Sequence, residues 1–494
     1  MLQHVVAIFV AWFAVLGANA QTPPTPPTPP PAPIEAPVTW TGVVELPGGD
    51  RLDFSVELTA DRGTISIPVQ KTKDLALSKV VVNEHELRFS ILLAGATWEM
   101  KVAEDGRSAT GVLKQNGGEF KTTMKRLAPG QTVAKELVRP QEPKPPLPYT
   151  VTDVKFENVA AKVKLAGTLT TPKGDGPFPC VVLVSGSGPQ DRDEGLLGHR
   201  PFLVVADHLT RHGIAVLRYD DRGVAKSTGK FSKATSDDFA DDALSAVAYL
   251  KTRPEIDAKR IGIAGHSEGG LIAPICAAKS KDVSFVVLLA GTGMSGAELM
   301  PLQGKLIALA SGASAEDAEA QARENAAIFA LVVAGKSDAE IREQIRLAVL
   351  RQLASDPASK DMSEAERATK AEQLAQEQSA ELLGPWFRRF LVLDPRENLV
   401  KVTCPVLAMN GEKDLQVPPK ENLSRIERAL KEGGNRDVTI VELPGLNHLF
   451  QTCTTGAPSE YATIEETFAP RALQCPDEGQ NARGLRSDPS RKGE

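Results

Sequence analysis

One short segment constrains the fold of this chain more than any other: Gly265-His266-Ser267-Glu268-Gly269-Gly270, directly behind the apolar run Ile261-Gly262-Ile263-Ala264. The pattern predicts a buried strand that turns sharply into a helix, with Ser267 at the tip of the turn. Gly265 and Gly269, two residues to either side of the serine, leave room for such a strained turn. The serine hydroxyl would then lie near a helix N-terminus, where developing negative charge is stabilised. The segment therefore indicates a nucleophile elbow.

The base that would activate Ser267 is found by elimination among seven histidines. In proteins built on such an elbow, the partners follow the serine in the order acid, then histidine. Only His448 lies beyond the elbow, because His266 is part of the elbow itself. His448 ends the glycine-containing loop 443–448, which follows a predicted last strand at 438–443. We predict that His448 is the general base; the alternative is a loop histidine with a structural role.

The acid of the triad is expected just after the preceding strand. Residues 405–409 are apolar and strand-like, and Asn410-Gly411-Glu412-Lys413-Asp414 follows at once. We predict Asp414 as the acid, with Glu412 as the alternative. A carboxylate at this place would hold the imidazole in the right tautomer and stabilise the imidazolium. Other acids between the elbow and the histidine fall mostly in an Ala/Glu-rich helical region and are expected on a solvated face.

Two backbone amides are expected to form an oxyanion hole. One is the amide of Glu268, the residue after the nucleophile, and the other comes from the loop after an earlier strand. Residues 185–189 form the glycine-rich exit of a strand, and within them we predict the Ser187 amide, with Gly188 as the alternative. A flexible turn without contact to a substrate is the other interpretation. The charged cluster at 190–194 either closes this loop by ion pairs or shapes the mouth of the site.

Length, charge and the N-terminal segment limit the class of protein further. A chain of 494 residues exceeds one ordinary core, so two or three domains are expected. The net charge of −6 and the scattered Lys and Arg give no reason to expect a nucleic acid partner. An apolar run at 5–16 and the cleavage-site pattern Ala18-Asn19-Ala20 predict a signal peptide at 1–20. We therefore expect an exported protein, periplasmic or secreted, without stable membrane insertion.

The five cysteines do not form a recognisable metal or redox motif. No pair has the C-x-x-C or zinc-ligand spacing, so we expect no metal and no other cofactor. Cys180 and Cys404 open predicted core strands and are expected to be small buried apolar side chains. Whether Cys453 and Cys475 form a disulfide is left open by their spacing.

Changes of pattern along the chain predict its domains. After a proline-rich spacer come short alternating segments between Thr41 and Met124, separated by glycine-bearing turns, which indicate an antiparallel meander, sandwich or barrel. Strands and helices then alternate, apart from a segment rich in Ala, Glu, Gln and Lys that predicts an inserted helical cap. The predicted boundaries are a signal peptide at 1–20, a Pro-rich linker at 21–37, a small all-β, antiparallel domain at 38–128, a Pro-rich linker at 129–148, an α/β catalytic domain at 149–475 with the cap at about 294–398, and a disordered tail at 476–494.

The alternating part predicts a doubly wound, mostly parallel sheet. Its middle strands are almost continuously apolar, as a sheet covered by helices on both faces requires. One helix is predicted over 236–251, with Ser236 as its N-cap. The predicted strands are 163–169, 181–185, 214–219, 261–264, 283–290, 406–409 and 438–443. Apolar side chains of the cap are expected either to line a substrate pocket or to form the core of the cap: Met294, Met300, Leu302, Trp386 and Phe387.

Several of these motifs together resemble the α/β-hydrolase superfamily and, more closely, bacterial EstD-type esterases of its serine aminopeptidase-like branch. The motifs are Ser185-Gly186-Ser187-Gly188-Pro189-Gln190-Asp191-Arg192-Asp193, Tyr219-Asp220-Asp221-Arg222-Gly223, Gly265-His266-Ser267-Glu268-Gly269-Gly270, Asn410-Gly411-Glu412-Lys413-Asp414 and Pro444-Gly445-Leu446-Asn447-His448. The resemblance covers roughly residues 150–470. It implies a serine carboxylesterase that hydrolyses small-molecule, short-chain acyl esters, with Ser267, Asp414 and His448 as its triad.

The resemblance ends near Phe468. The fold is expected to close with an amphipathic helix, but the residues from 471 to 494 are polar and contain few apolar side chains. We therefore predict that the closing helix is missing and that this stretch is a disordered tail.

Two other functions stay open at this point. An aminopeptidase or acyl-peptide hydrolase would use the same triad, although the Glu residues of the cap form no recognisable pair for a substrate amine. A non-catalytic binding protein, in which the β-domain dominates, is disfavoured by the complete triad. The oligomeric state, the acyl group and the alcohol are not indicated by the sequence.

Overall fold

The computed structural model describes residues 38–478, apart from 46–50, 68–71, 92–94, 116–117, 129–138, 356–358 and 360–361. The predicted signal peptide, the first Pro-rich linker and most of the predicted tail lie outside the described residues. The chain divides into two compact units. One unit contains the described residues of 139–346 and 373–478, and the other contains those of 38–128 and 347–372.

Nine strands of the described residues form an antiparallel sheet in the first part of the chain. Its strands are β1 (Val38–Glu45), β2 (Arg51–Leu58), β3 (Gly63–Ile67), β4 (Thr72–Ala76), β5 (Ser78–Val82), β6 (Glu86–Ile91), β7 (Ala96–Val102), β8 (Ser108–Gln115) and β9 (Gly118–Arg126). The strand order is β4-β3-β2-β1-β9-β8-β7-β6-β5. Two meanders of consecutive strands thus join where β1 pairs with β9, for example at Gly42 and Met124.

The core of this sheet follows from the alternation of its strands. In β7 every second side chain is buried, including Trp98 and Met100. The Trp98 ring lies between Phe54 and Phe89, with ring centroids 5.6 and 5.2 Å away. Period-two burial of large apolar side chains is the pattern by which a strand presents one face to a core.

Eight further strands among the described residues form a mixed sheet. They are β10 (Thr150–Asn158), β11 (Val163–Thr171), β12 (Phe178–Val184), β13 (Ala215–Tyr219), β14 (Ile256–His266), β15 (Val286–Leu289), β16 (Val406–Gly411) and β17 (Val438–Leu443). The strand order is β10-β11-β13-β12-β14-β15-β16-β17. The β10–β11 and β11–β13 pairs are antiparallel, and the remaining pairs are parallel. The prediction of a mostly parallel sheet after an antiparallel one is confirmed.

Strand β12 shows why the middle of this sheet is apolar. Val182 and Val184 belong to one buried apolar cluster, whereas Val181 and Leu183 belong to another. Because successive side chains of a strand point to opposite faces, the two clusters cover the two faces of the sheet. The loops after β12, β14, β16 and β17 leave the carboxyl ends of parallel strands, and such ends meet at one edge where α/β proteins bind ligands.

Helices connect these strands and fill the span between β15 and β16. They are α1 (Pro201–Arg211), α2 (Ser236–Leu250), α3 (Glu268–Lys279), α4 (Gly296–Ala310), α5 (Ala315–Val333), α6 (Asp338–Ser355), α7 (Glu364–Leu382), α8 (Pro385–Val392), α9 (Arg396–Leu399), α10 (Pro419–Glu432) and α11 (Pro470–Glu478). The N-cap of α2 is Thr235, one residue before the predicted Ser236, and it forms a capping box with Asp238. No helix in the described part of the chain is long and apolar enough to span a membrane.

The prediction of a missing closing helix is wrong. Helix α11 begins at Pro470 and ends at Glu478, so it includes the first residues of the tail predicted at 476–494. Ala472 is buried and Leu473 packs against the same apolar cluster. Of the side chains of this helix that the structure describes, these two are the ones that pack against the core, and the sequence carries almost no periodic signal for the helix.

The described residues of the second Pro-rich linker, 139–148, form hydrogen bonds within the unit that contains the mixed sheet. The Arg139 guanidinium donates to the carbonyls of Leu197 and Ala462, each at 3.0 Å. The side-chain amide of Gln141 donates through Nε2 to the Phe468 carbonyl at 2.6 Å. Residues 139 and 141 thus extend the packed unit, whereas 129–138 lie outside the described residues.

Candidate active site

Ser267 lies at the tip of a strained turn between β14 and α3. Its φ is +53° and its ψ is −114°, a conformation that non-glycine residues adopt at an energetic cost. The neighbouring residues 261–266 and 268–270 are buried, but Ser267 itself is only half-buried. A Cβ on Gly265 would lie 1.9 Å from the Gly269 carbonyl oxygen, and one on Gly269 would lie 2.1 Å from that of Val184. The glycines are therefore required by close backbone contacts, as the sequence pattern predicted.

The histidine and the acid predicted from the sequence are hydrogen-bonded to each other. The His448 Nδ1 lies 2.8 Å from Asp414 Oδ2, and both side chains are buried. The other carboxylate oxygen of Asp414 accepts from the amides of Gln416 and Val417, each at 2.8 Å. Asp414 therefore fixes the imidazole so that Nδ1 donates and Nε2 is left as the basic nitrogen.

Glu412, the alternative acid, points elsewhere. Its Oε2 accepts from the amide of Gly445 at 2.7 Å, at an exposed position. The structure thus places Asp414, and not Glu412, against His448. The role of the pair in catalysis stays a prediction.

The glycine-rich loop after β12 lies against the elbow. A Cβ on Gly186 would be 3.2 Å from the Ser267 Cβ. The loop is fixed at its start by Ser185, whose hydroxyl donates to Asp221 at 3.1 Å. The Gly186 amide donates to Glu194 Oε1 at 2.7 Å, so it is already used within the protein. The next amide along the loop is that of Ser187, the predicted oxyanion donor.

Glu268 follows the serine and is the first residue of α3. The first amides of a helix have no partner within it, which suits the predicted role of the Glu268 amide in an oxyanion hole. The side chain is buried, and its carboxylate accepts from the Ser236 hydroxyl at 2.7 Å and the Trp386 indole at 2.8 Å. Burial raises the pKa of the Glu268 carboxyl, while bonds from Ser236, Trp386 and Ser187 partly offset this effect.

The predicted cap side chains pack into apolar clusters. Met294 is buried in the main cluster of the mixed sheet, and Met300, Leu302 and Trp386 pack against it. Phe387 is buried as well. The structure thus favours the core interpretation for these residues, except that the Trp386 indole also reaches the elbow.

The charged cluster at 190–194 closes its loop by ion pairs. Asp193 pairs with Arg218 and Arg200, and Arg192 pairs with Asp220 at 2.8 Å. Only Glu194 turns toward the elbow. Its contact with His266 was not predicted from the sequence. The two residues are 72 positions apart, and nothing in the elbow motif indicates which residue its histidine contacts.

The remaining side chains of chemical interest are the cysteine thiols and the groups that could bind a metal ion. Cys180, Cys276, Cys404 and Cys453 are free thiols. The disulfide between Cys453 and Cys475, which the spacing left open, is therefore not formed; the Cys453 thiol instead donates to the Gly445 carbonyl at 3.7 Å. No group of three or more His, Cys, Asp or Glu side chains in the described part of the chain is arranged to hold a metal ion.

The mixed sheet, the elbow and the acid–histidine pair after later strands define an α/β hydrolase. Residues 200–452 match the family described as "Serine aminopeptidase, S33", and the chain belongs to this family of hydrolases. The predicted resemblance is therefore confirmed.

Individual relatives match parts of the chain. "Esterase EstD" of Thermotoga maritima is 38% identical over 143 residues, which is 29% of this chain and 34% of that protein. The chain thus spans about a third of the length of this curated relative. The α/β hydrolase GrgF from Penicillium sp. sh18 is 19% identical, with a TM-score of 0.38, 61% of this chain covered and 91% of the other. The Pyrococcus furiosus esterase Pf2001 is 18% identical, with a TM-score of 0.38 and coverages of 60% and 83%.

Proposed function

We propose that this protein is a serine carboxylesterase that hydrolyses short-chain acyl esters. The observation that carries the proposal is the 2.8 Å hydrogen bond between His448 Nδ1 and Asp414. Both residues lie on loops that follow parallel strands, in the same sheet whose strand β14 leads into Ser267. Membership of the S33 family and the local identity to an esterase support it.

The proposed chemistry is a two-step acyl transfer by these residues. Ser267 attacks the ester carbonyl while His448 Nε2 takes its proton, and the Asp414 carboxylate stabilises the imidazolium. The amides of Ser187 and Glu268 stabilise the negative charge on the carbonyl oxygen. His448 then protonates the leaving alcohol, and water attacks the acyl group on Ser267 with the same histidine as base. The products are a carboxylic acid and an alcohol.

The alternative is an aminopeptidase with the same triad. Such an enzyme needs an acidic group that binds the ammonium group of its substrate. The carboxylate beside the nucleophile, that of Glu268, is buried and already accepts from Ser236 and Trp386. Its oxygens are engaged within the protein, which favours the esterase.

The test is the steady-state hydrolysis of nitrophenyl esters from C2 to C12 beside aminoacyl nitroanilides. We expect turnover of the short esters, and its loss in Ser267→Ala. The control is Ser424→Ala, which removes an exposed hydroxyl on α10 and should leave turnover unchanged. Faster cleavage of the anilides would instead assign the protein to the peptidases, and no turnover of either substrate by folded protein would contradict both proposals.

We also propose that the protein is exported, on the evidence of its N-terminal sequence alone. Mature protein recovered from the producing cells should then begin at Gln21. Recovery of a chain that still begins at Met1 would contradict this.

A further inference from the structure

A second histidine–carboxylate pair lies next to the predicted triad. His266, the last residue of β14, is 5% exposed, and its ring centroid is 4.8 Å from that of His448. Its Nδ1 lies 2.9 Å from Glu194 Oε1, and its Nε2 lies 3.0 Å from the carbonyl oxygen of His448. A carbonyl oxygen accepts only, and the carboxylate accepts too, so both ring nitrogens of His266 donate. His266 is therefore an imidazolium.

The charges around the pair agree with this assignment. Burial, the largest single cause, lowers the pKa of His266, but the charge and hydrogen bond of Glu194, the bond to the His448 carbonyl and the charge of Asp414 together outweigh it, so the net pKa is raised. The other titratable groups facing His266 are His448, through its carbonyl, and Asp414, whose charge acts in the same direction as that of Glu194. The imidazolium thus stays charged where an isolated histidine would lose its proton.

Glu194 makes a second contact that connects the pair to the oxyanion loop. The same oxygen, Oε1, accepts from the amide of Gly186 at 2.7 Å. Gly186 lies against the Ser267 Cβ, and it directly precedes Ser187. One carboxylate therefore joins the loop after β12 to the end of β14, and through His266 to the backbone of His448.

We propose that Glu194 and His266 are positioning residues that hold the Ser187 amide and the His448 backbone in fixed places around Ser267. This inference rests on the proposed function. Neither side chain touches the reacting atoms; each acts through a backbone group, Gly186 N–H in one case and His448 C=O in the other. The pair also prevents Gly186 from serving as the oxyanion donor, so that role falls to a later amide of the loop, the predicted Ser187 or its alternative Gly188.

Glu194→Gln is the main variant, because it keeps the shape of the side chain and removes its charge. The matched control is Asp242→Asn, which breaks another buried ion pair of the same unit, that with Arg222, at a distance of 2.6 Å. Three quantities are measured for each protein: kcat and KM for nitrophenyl acetate, the rate at which a fluorophosphonate labels Ser267, and the melting temperature.

We expect Glu194→Gln to lower kcat by about 30- to 100-fold with KM within about threefold, since loss of one oxyanion donor costs about 10²- to 10³-fold. Asp242→Asn should lower the melting temperature about as much as Glu194→Gln does, because each variant breaks a buried ion pair. Its kcat should stay within about threefold of wild type. An equal loss of kcat in both variants, or a rise in KM that accounts for the loss in Glu194→Gln, would show that the pair is merely structural and would overturn the proposal.

The labelling rate separates this proposal from the proposed function. If wild type is labelled at Ser267 but hydrolyses no ester, the esterase proposal fails. Slower labelling of Glu194→Gln than of Asp242→Asn still supports the positioning role, and equal labelling rates overturn it. Should Glu194→Gln not fold, His266→Gln replaces it in the same comparison, with a kcat loss of the same order expected.

Discussion

The two sheets of this protein bury different kinds of side chain. Among the described residues, the nine-stranded sheet buries no ionisable side chain; its buried polar residues are Ser55, Ser90 and Thr122, around an aromatic core. The unit with the mixed sheet instead buries ionisable side chains on its strands, loops and helices: Asp193, Glu194, His199, Arg218, Asp220, Asp221, Arg222, Asp242, His266, Glu268, Asp414 and His448. Removing a charge from water costs several kcal/mol unless its partners are well placed.

This difference indicates which kind of interaction each unit depends on. The first sheet is stabilised by the burial of large apolar side chains. The second binds several of its charges in pairs, among them Asp414 with His448 and Glu194 with His266. In the proposed function these two pairs supply a fixed electric field that favours the charges that develop in acyl transfer. The comparison predicts that substitutions in the first sheet change stability alone, whereas conservative changes at the edge of the second change the rate.

The largest effect is expected from Asp414→Asn. The asparagine keeps the size of the side chain but leaves the His448 imidazole in the wrong tautomer, so kcat for short esters should fall about 10³- to 10⁴-fold. Glu412→Gln is the control, because its oxygen still accepts from Gly445; its kcat should stay within about threefold. A larger loss in Glu412→Gln than in Asp414→Asn would reverse the assignment of the acid.

Trp98→Ala tests the first sheet. The side chain is 2% exposed and packs between two phenylalanine rings, so its removal should lower the free energy of unfolding of this unit by about 3–5 kcal/mol. Urea unfolding measures this, and kcat should be unchanged at temperatures where the variant is folded. A parallel loss of kcat would break the comparison, since the first sheet would then contribute to the site.

Two glycines sharpen the comparison because their surroundings are alike. A Cβ would lie 2.1 Å from a carbonyl oxygen at Gly269 and 2.0 Å from one at Gly111, in β8. Both alanine variants should be destabilised. Only Gly269→Ala should also lose kcat, by about 10²-fold, because a displaced elbow misplaces the serine. Circular dichroism melting and ester kinetics on both variants decide this; equal kcat losses would contradict it.

The smallest effect concerns His199, whose side chain is buried among Thr467, Tyr461 and Gln451. Burial lowers its pKa from 6.5 to about 4. Between these pH values the unfolded chain binds a proton that the folded chain does not, so the free energy of unfolding falls as the pH drops from about 6.5 to about 4.

His199→Gln should remove about 2 kcal/mol of this pH dependence. Urea unfolding at pH 7.0, 5.5 and 4.5, taken as the difference between variant and wild type, isolates this contribution from that of His266, which has the opposite sign. The same slope in both proteins would contradict the prediction.

The sequence was most informative where one steric demand fixes several residues at once. The elbow needs glycines two residues to each side of Ser267, and the order of the partners left one histidine, His448. The parallel strands were recognisable because burial on both faces makes them continuously apolar. Their positions in the sheet follow from pairings that no local pattern contains.

Other parts of the fold carried weaker signals. Strands β5 and β10 alternate between buried or half-buried and exposed side chains, and like β4 they lie at the edges of their sheets. None of these three strands was predicted. Helix α11 was not predicted because few of its residues are apolar; among its described side chains, Ala472 and Leu473 are those that contact the core. The Glu194–His266 pair joins residues far apart in sequence, and either side chain alone is as typical of a surface loop as of a buried network.

The bond between the Trp386 indole and the Glu268 carboxylate also has a spectroscopic consequence. The chain has four tryptophans. Trp12 lies outside the described residues, and Trp40 and Trp98 belong to the apolar core of the first sheet. Trp386 is therefore the described fluorophore of the mixed-sheet unit, held next to the serine by a charged acceptor. In a variant with Trp386 replaced by phenylalanine, the emission of Trp40 and Trp98 would report on the first sheet. In a variant with Trp40 and Trp98 replaced instead, the emission of Trp386 would report on the mixed-sheet unit, so that the unfolding of each unit could be followed separately.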